Sequence, residues 1–162
     1  MEDEIFPVVD EQDQVIGSAT KTKARDDNLL HRGAAVLLEN SKGEIFVHKR
    51  TMTKEVAPGL YDVQVGGGVR FGESYEEAAK RELEEEVGIK NPKLELLFDY
   101  RMRSARTNAW LRVFKCVYDG KLKLQKEEIE HGGFVSYKVL DEMLKTKNFC
   151  KDGVQILNKY KK

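Results

Sequence analysis

Three glutamates near the middle of the chain, Glu82, Glu85 and Glu86, have the residue type and the spacing to bind a metal ion. Residues three and four apart in an α-helix lie on one face, so their carboxylates are expected to converge within one turn. Oxygen clusters of this kind suit hard divalent cations such as Mg²⁺ or Mn²⁺. The chemistry open to such a site is metal-assisted activation of water beside a negatively charged group.

A solvated charged face is the alternative interpretation of the same glutamates. However, Glu84, Glu85 and Glu86 lie in the last turn of the expected helix. There the helix dipole disfavours each negative charge by roughly 0.3–1 kcal/mol. The like charges also repel one another, and a divalent cation would reverse both penalties. An unfavourable local arrangement is typical of a functional site, but the residues alone leave both interpretations open.

Local signals predict the helix that carries these glutamates. Ser74 can cap its first turn, and Glu77, three residues later, completes a capping box. Residues 75–87 contain neither Gly nor Pro, and Gly88 stands where a left-handed C-terminal cap would fall. The apolar stripe that should face a sheet consists of Ala79, Leu83 and Val87.

Strand patterns dominate the rest of the chain. Residues 40–43 form a turn that predicts a hairpin. Segment 21–28 is polar and poorly defined, whereas 138–145 and 153–160 look helical. A mixed sheet covered by helices is therefore expected. The predicted strands are 4–9, 14–20, 34–39, 44–49, 62–65, 94–101, 109–118 and 133–137.

Composition narrows the class of protein. The 162 residues suit one domain, and 28 basic residues balance 28 acidic ones, so no net charge favours nucleic acid or a membrane surface. No apolar run approaches the ~18 residues of a membrane span, and the acidic amino terminus does not resemble a signal peptide. Two unpatterned cysteines, Cys116 and Cys150, favour free thiols and a cytoplasmic location.

Segment 66–89 resembles the Nudix box at every fixed position. The pattern is Gly, five residues, Glu, seven residues, Arg-Glu-aliphatic, one residue, Glu-Glu, one residue, Gly-aliphatic. The matching residues are Gly67, Glu73, Arg81, Glu82, Leu83, Glu85, Glu86, Gly88 and Ile89.

The resemblance to Nudix hydrolases implies an enzyme that uses Mg²⁺, with Mn²⁺ as an alternative, to split a diphosphate linked to another group. It implies an α/β/α sandwich with a mixed β-sheet, an α+β or α/β fold in which the box forms a loop-helix-loop motif. The whole chain, 1–162, would be one Nudix domain with an N-terminal hairpin extension at 1–30. The expected substrate is a nucleoside diphosphate linked to a further group, or a related nucleotide.

The resemblance also assigns roles within the box. Glu82, Glu85 and Glu86 would bind the metal and carry catalysis, and the backbone carbonyl of Gly66 would add a ligand. Glu82, or a glutamate outside the box, would act as general base. Residues expected to orient the cluster or admit the substrate are Glu73, Arg81, Gly67 and Gly68.

Further segments resemble the isopentenyl-diphosphate-isomerase-like branch of the superfamily: 30–32, 40–43, 50–54 and 58–60. In those isomerases a Cys-Gly-His segment supplies a catalytic thiol and a metal-binding imidazole. Here the matching positions are Gly66, Gly67 and Gly68, which supply neither. The pattern therefore favours a hydrolase on an isomerase-like frame. The alternatives are an isomerase and a non-catalytic nucleotide-binding module.

Candidates outside the box rest on the same resemblance. Glu128 would be an additional metal ligand or base, with a solvated turn as the alternative. Arg50 and Lys54 match basic positions that meet the diphosphate. His31 matches a metal-binding histidine of the isomerases, but a hydrogen-bonded histidine at a strand end is expected here. His48 and His131 are expected to be ordinary structural residues.

The group attached to the diphosphate is the least determined part. Phe98, Tyr100 and Trp110 could stack on a base, although sheet core is the preferred interpretation for them. A further phosphate could contact Arg101, Arg103 and Arg106, and a solvated loop is the alternative interpretation for these three residues. Oligomeric state is not determined by these residues.

Overall fold

The structure is a computed structural model that describes residues 2–104 and 107–162. Strands and the helix α2 fall close to the positions that the sequence predicts. In chain order the elements are β1 (Ile5–Val9), β2 (Val15–Thr20), α1 (Lys21–Asp26), β3 (His31–Glu39), β4 (Ile45–Arg50), β5 (Tyr61–Asp62), β6 (Gln64–Gly68), α2 (Tyr75–Val87), β7 (Glu95–Arg103), β8 (Asn108–Val117), β9 (Ile129–Val135), α3 (Tyr137–Thr146) and α4 (Lys151–Tyr160).

The strands of the described ranges form two sheets. β1 and β2 make a separate antiparallel hairpin. The other seven strands form one sheet, in which β8 runs parallel to β3 and the remaining pairs are antiparallel. The mixed sheet expected from the sequence is confirmed.

The predicted hairpin of β3 and β4 forms only at its closed end, where Glu39 pairs with Ile45. Beyond that point β3 pairs with β6 instead, and β4 pairs with β9. The two strands diverge because each has a longer antiparallel partner elsewhere. The divergence inserts β6, and with it the start of the box, into the middle of the sheet.

Helices cover both faces of the large sheet. On one face, α2 buries its predicted stripe of Ala79, Leu83 and Val87, which are fully excluded from solvent. On the other face, Leu140 of α3 and Ile156 of α4 pack into a second core. This is the predicted α/β/α sandwich. Within the described ranges, no helix is long and apolar enough to cross a membrane.

Two elements differ from the sequence-based expectation. Segment 21–28, which has no clear pattern, contains the short helix α1, whose first turn is capped when Thr20 Oγ1 accepts the N–H of Lys23. Only Ala24 of this helix is buried, so its periodic signal is weak. In addition, β6 extends through Gly68 beyond the predicted end at residue 65. Gly66, Gly67 and Gly68, at the start of the box, therefore belong to a strand.

Candidate active site

Helix α2 is a platform with well-defined ends, as the sequence predicts. Ser74 Oγ accepts the backbone N–H of Glu77 at 3.1 Å, and the Glu77 carboxylate accepts the N–H of Ser74 at 3.0 Å. At the other end Gly88 adopts a left-handed conformation with φ of 76°, which costs glycine little. The box glutamates therefore project from a helix whose length and rotation are locally determined.

Arg81 connects the helix to the rest of the box. Its Nε donates to Glu73 Oε2 and its Nη1 to Glu82 Oε1, both at 2.8 Å, while Nη2 donates to the carbonyl of Gly68 at 3.1 Å. Burial acts to raise the pKa of Glu73, but hydrogen bonds from Arg81 and the backbone outweigh it and lower that pKa. The Arg81 guanidinium therefore links the loop at Glu73, strand β6 at Gly68 and the carboxylate of Glu82.

Glu82 and Glu86 turn toward the interior from successive turns of α2. Oε2 of Glu86 accepts the backbone N–H of Gly66 at 3.1 Å. Burial raises the pKa of both carboxyl groups, and the charge of Glu82 raises that of Glu86 further. Two buried carboxylates that disfavour each other's charge are a ready binding site for a cation.

The expected convergence of three carboxylates is not observed. The side chain of Glu85 is 44% exposed, against 13% for Glu82, and its Oε2 lies 3.5 Å from Nη1 of Arg81. Among the residues that the structure describes, no three His, Cys, Asp or Glu side chains meet in a geometry that could hold a metal. Nη1 of Arg81 contacts the carboxylates of both Glu82 and Glu85, so the guanidinium offsets part of their negative charge. The all-oxygen donor set nevertheless fits a hard divalent cation.

Strand β6 lies directly beside this helix. Because the N–H of Gly66 goes to Glu86, and the carbonyl of Gly68 accepts from Arg81, both residues direct their backbone polar groups toward α2. A Cβ at Gly67 would lie 2.6 Å from Oε1 of Glu82. Glycine at position 67 therefore leaves the space that the Glu82 carboxylate occupies.

A cavity of about 740 Å³ opens in front of the glutamates. Lys54 and Glu128 reach it from two different loops and form an ion pair between Nζ and Oε2. Burial and the nearby Arg50 lower the pKa of Lys54, and the carboxylates of Glu86 and Glu82 oppose that effect. Lys54 thus lies within the electrostatic reach of the cluster. Site residues that line the cavity are Arg50, Lys54, Gly66, Gly67, Gly68, Glu82, Glu85, Glu86 and Glu128.

Arg50 has a role that its sequence position does not reveal. Its Nη2 donates to the carbonyl of Val56 at 2.8 Å, and its Nε lies 3.2 Å from the carbonyls of Val56 and Ala57. These bonds fold the loop between β4 and β5 back toward the cavity. Arg50 therefore braces the loop that presents Lys54, and its contact with phosphate stays a prediction.

The N-terminal extension at 1–30 forms part of the cavity wall, a contact that the sequence does not predict. Phe6 is buried and stacks on His31, with ring centroids 5.4 Å apart. His31 Nδ1 hydrogen-bonds the carbonyl of Leu29 at 2.9 Å, in agreement with the expected structural role, and burial lowers its pKa. A Cβ at Gly68 would collide with the Phe6 ring. No sequence signal linked residues so far apart in the chain.

Four of the candidates for binding the attached group have other partners. Lys159 lies 5.1 Å above the ring of Phe98, and Tyr100 donates to Gln155 at 2.9 Å. Arg101 and Arg103 both bind Glu11, although Arg103 also lines the cavity. Trp110 is half-buried in β8. Arg106 lies outside the described residues.

Comparisons with a family model, with sequence relatives and with solved structures agree on one family. The family model of the NUDIX domain matches residues 29–154. The uncharacterized Nudix hydrolase PA4841 of Pseudomonas aeruginosa is 38% identical over 157 residues, covering 97% of this chain and 93% of the relative. The uncharacterized Nudix hydrolase SCO1686 of Streptomyces coelicolor is 40% identical over 154 residues, covering 94% and 85%. The crystal structure of DR0079 from Deinococcus radiodurans has the same fold, with a TM-score of 0.83, 23% identity and coverage of 98% and 100%.

The chain therefore belongs to the Nudix family. It is an enzyme of the Nudix hydrolase type, a class that cleaves phosphoric anhydride bonds in small nucleotide derivatives and generally uses divalent metal cations. Its place in the isomerase-like branch remains a prediction.

Proposed function

We propose that the protein hydrolyses, with Mg²⁺, the diphosphate bond of a nucleoside diphosphate linked to a further group, or of a related nucleotide. The observation that carries this proposal is the buried pair of Glu82 and Glu86 at the wall of a cavity of about 740 Å³ that also holds Lys54. Small-molecule sites generally measure about 300–1,000 Å³, so a nucleotide fits.

The metal ligands in this proposal are oxygens of residues that line the cavity. The proposed set is Glu82, Glu85 and Glu86, with the carbonyl of Gly66, and Glu128 is a further ligand wherever it does not act as the base. A bound Mg²⁺ would neutralise diphosphate charge and lower the pKa of a bound water. Mn²⁺ suits the same oxygen donors.

The side chains around the cluster would position the substrate and move one proton. A phosphate oxygen would take over the ammonium of Lys54, which releases Glu128 from its ion pair. Glu128 would then accept the proton of the attacking water as the water oxygen bonds to phosphorus. The bridging oxygen would leave with the electron pair of the cleaved bond. Glu82 is the alternative base, but its Oε1 already accepts from Arg81.

The remaining candidates act through position. Glu73 and Arg81 would hold Glu82 in place, and Arg50 would hold the loop that carries Lys54. The backbone at Gly67 and Gly68 would line the approach of the diphosphate. The proposal treats 1–162 as one catalytic domain with the extension at 1–30. It takes a small molecule as the partner and, from the two free cysteines, the cytoplasm as the location.

Release of phosphate or pyrophosphate across a substrate panel tests the proposal. The panel contains nucleoside di- and triphosphates, dinucleoside polyphosphates, nucleotide sugars, NADH, coenzyme A and prenyl diphosphates, each with and without Mg²⁺. Glu86→Gln removes the charge of the buried carboxylate, and Glu84→Gln is the matched control on the exposed face of the same helix.

Turnover that requires Mg²⁺ and disappears in Glu86→Gln but not in Glu84→Gln is the expected result. Full activity in Glu86→Gln would refute the assignment of the site. Exclusive turnover of a prenyl diphosphate would refute the nucleotide substrate.

A further inference from the structure

A smaller cavity of about 370 Å³ adjoins the cavity that contains the box glutamates. We call it the side groove, and it is lined by residues 84, 85 and 88 at the end of α2 and by segment 123–127. Glu85 and Gln125 line both cavities, so the two spaces meet at these residues. Because Glu85 belongs to the proposed metal site, the side groove opens beside the place where a diphosphate would bind.

Hydrogen bonds to the end of α2 fix the backbone of the side groove. The N–H of Lys123 donates to the carbonyl of Val87 at 2.9 Å. The N–H of Gln125 donates to the carbonyl of Glu86, also at 2.9 Å. The last carbonyls of a helix have no partner within the helix, and the two N–H groups satisfy two of them. A ligand in the groove would therefore meet a backbone that is already ordered, which lowers the entropic cost of binding.

Gln125 has a side chain that is available to a ligand at the junction of the two cavities. Its carbonyl accepts the N–H of Glu128 at 3.0 Å, so its backbone connects Glu86 to Glu128. The side chain is half-buried, and no protein group in the described ranges hydrogen-bonds to its amide. An amide offers two donor hydrogens and an acceptor oxygen. The junction therefore presents an uncharged group that can both donate and accept.

The rest of the side groove combines donors with an acceptor and has little apolar surface. Lys123 and Lys126 supply ammonium donors, and Glu127 supplies a carboxylate acceptor. All three are exposed, and none of them forms an ion pair with another described residue. Among the described residues that line the groove none is aromatic, and Leu124 is the only large apolar one. Such a lining suits hydroxyl groups, which donate and accept at once.

We propose that the side groove binds the sugar of a nucleotide sugar, so that the group attached to the diphosphate is a hydroxyl-rich monosaccharide. The Gln125 amide would hydrogen-bond the hydroxyls nearest the diphosphate, and Lys126 and Glu127 would contact those further along. This inference rests on the proposed hydrolase function, because the diphosphate at the glutamates places one half of the substrate on each side of the junction.

Hydrolysis would then separate the two halves. The oxygen of one water bonds to one phosphorus, and the bridging oxygen stays on the other phosphate. A nucleoside monophosphate would leave the large cavity, and a sugar phosphate would leave the side groove.

The lining disfavours the other candidates for the attached group. A second nucleoside would find no aromatic side chain in the groove on which its base could stack. A prenyl chain would remove water from Gln125 and the charged side chains without replacing its hydrogen bonds. A further phosphate would meet the carboxylates of Glu85 and Glu127 as well as the two lysines. The volume of about 370 Å³ lies at the small end of the range for small-molecule sites, about 300–1,000 Å³, which suits one sugar ring.

The test compares substrates that share a nucleoside and differ in the attached group: ADP-glucose, ADP and diadenosine diphosphate. UDP-glucose and UDP repeat the comparison with a second base. Gln125→Leu removes the amide at nearly constant size, and Lys126→Met removes the ammonium but keeps an unbranched side chain. Lys121→Met, at an exposed lysine outside both cavities, is the matched control.

We expect kcat/KM for at least one of the two nucleotide sugars to exceed that for its nucleoside diphosphate, and for diadenosine diphosphate, by about tenfold or more. This preference should fall by about threefold or more in Gln125→Leu and in Lys126→Met, mainly through KM, and stay unchanged in Lys121→Met. Equal kcat/KM values, faster turnover of diadenosine diphosphate, or a preference that survives in both folded groove variants would overturn the inference but leave the hydrolase function intact.

Binding of the sugar half alone provides an independent measurement. In an NMR titration with Mg²⁺ present, glucose 1-phosphate should shift the backbone signals of Gly88 and of segment 123–127 and should bind more tightly than inorganic phosphate. If no diphosphate is hydrolysed, the proposed function fails, and this titration decides the sugar site by itself. Preferential binding that is lost in Gln125→Leu supports the site, and equal affinities for the two compounds overturn it.

Discussion

The backbone N–H of Gly66 donates a 3.1 Å hydrogen bond to Oε2 of Glu86, which joins the middle of β6 to the last turn of α2. The two residues are 20 positions apart in the chain, and both lie in segment 66–89. The bond fixes one carboxylate oxygen in a buried environment where the charge of Glu82 already disfavours ionisation. We therefore expect a bound cation to neutralise this charge and to stabilise the folded protein.

Replacing Glu86 by Gln should separate stability from activity. The amide oxygen can still accept the N–H of Gly66, while the buried charge is lost. Since the pKa of Glu86 is raised in the folded state, its ionisation lowers stability as pH rises. In urea unfolding at pH 8 without metal, the free energy of unfolding of the variant should therefore exceed that of the wild type by about 1 kcal/mol or more. Glu84→Gln should leave the free energy of unfolding within about 0.5 kcal/mol. Equal or lower stability of Glu86→Gln would contradict the buried-charge interpretation.

Arg81→Lys should lower kcat while preserving the fold. Lysine keeps the charge but cannot donate simultaneously to Glu73, Glu82 and the carbonyl of Gly68. Loss of a group that orients a metal ligand typically costs about 10- to 100-fold in activity or metal affinity. Steady-state kinetics at several Mg²⁺ concentrations measure both effects. Arg70→Lys, which loses only contacts with Glu4, is the matched control. A wild-type kcat in Arg81→Lys would show that turnover does not need the simultaneous hydrogen bonds of the Arg81 guanidinium.

Gly67→Ala should displace the carboxylate of Glu82. The new Cβ would lie 2.6 Å from Oε1, and a flexible side-chain end can move where backbone cannot. We therefore expect a folded protein with at least about tenfold lower kcat/KM. Gly133→Ala on β9 is the control, because its Cβ would meet no atom within 4 Å. Circular dichroism monitors the fold of both variants, and an unimpaired Gly67→Ala enzyme would disprove the proposed geometry.

Asp62 should make stability depend on pH. Burial raises its pKa in the folded protein to about 7, against 3.8 for the ordinary carboxyl group. The folded state therefore binds its proton more tightly than the unfolded state does. This contribution to stability is complete below about pH 4 and is lost as pH rises through 7, at up to about 1.4 kcal/mol per pH unit.

The variant Asp62→Asn tests this directly. Its Oδ1 can still accept the N–H groups of Val63 and Gln64, at 2.8 and 3.3 Å in the wild type. Urea unfolding at pH 4.5, 6 and 7.5 should show a smaller decline for the variant than for the wild type. Identical pH profiles would mean that Asp62 ionises normally.

Local signals explain why the sequence predicted α2 so well. Its bounds, its capping box and its left-handed C-cap depend on residues within one turn of each end. The pairing of β7 with β8 was similarly accessible, since both strands show clear apolar patterns and follow one another. The helix α1 was missed because six residues with one buried side chain carry almost no periodic signal.

Contacts between distant segments could not be predicted from local patterns. Phe6 lies on His31 and against Gly68, although 25 and 62 positions separate them in the chain. The turn at 40–43 predicts a hairpin of β3 and β4, but the competing partners β6 and β9 come from later segments. The hydrogen bond from Gln125 to Glu86 also joins distant segments and is visible only in the folded chain.

The sequence by itself determined that three box glutamates share one helix and that the helix packs on a sheet, because spacing and periodicity are local properties. The tertiary structure decided that the three carboxylates have different environments: Glu82 and Glu86 are buried, and Glu85 is half-exposed. It also decided that Lys54 and Glu128 meet beside them. Burial, desolvation and charge coupling depend on segments that pack together from distant parts of the chain, and no spacing rule encodes them.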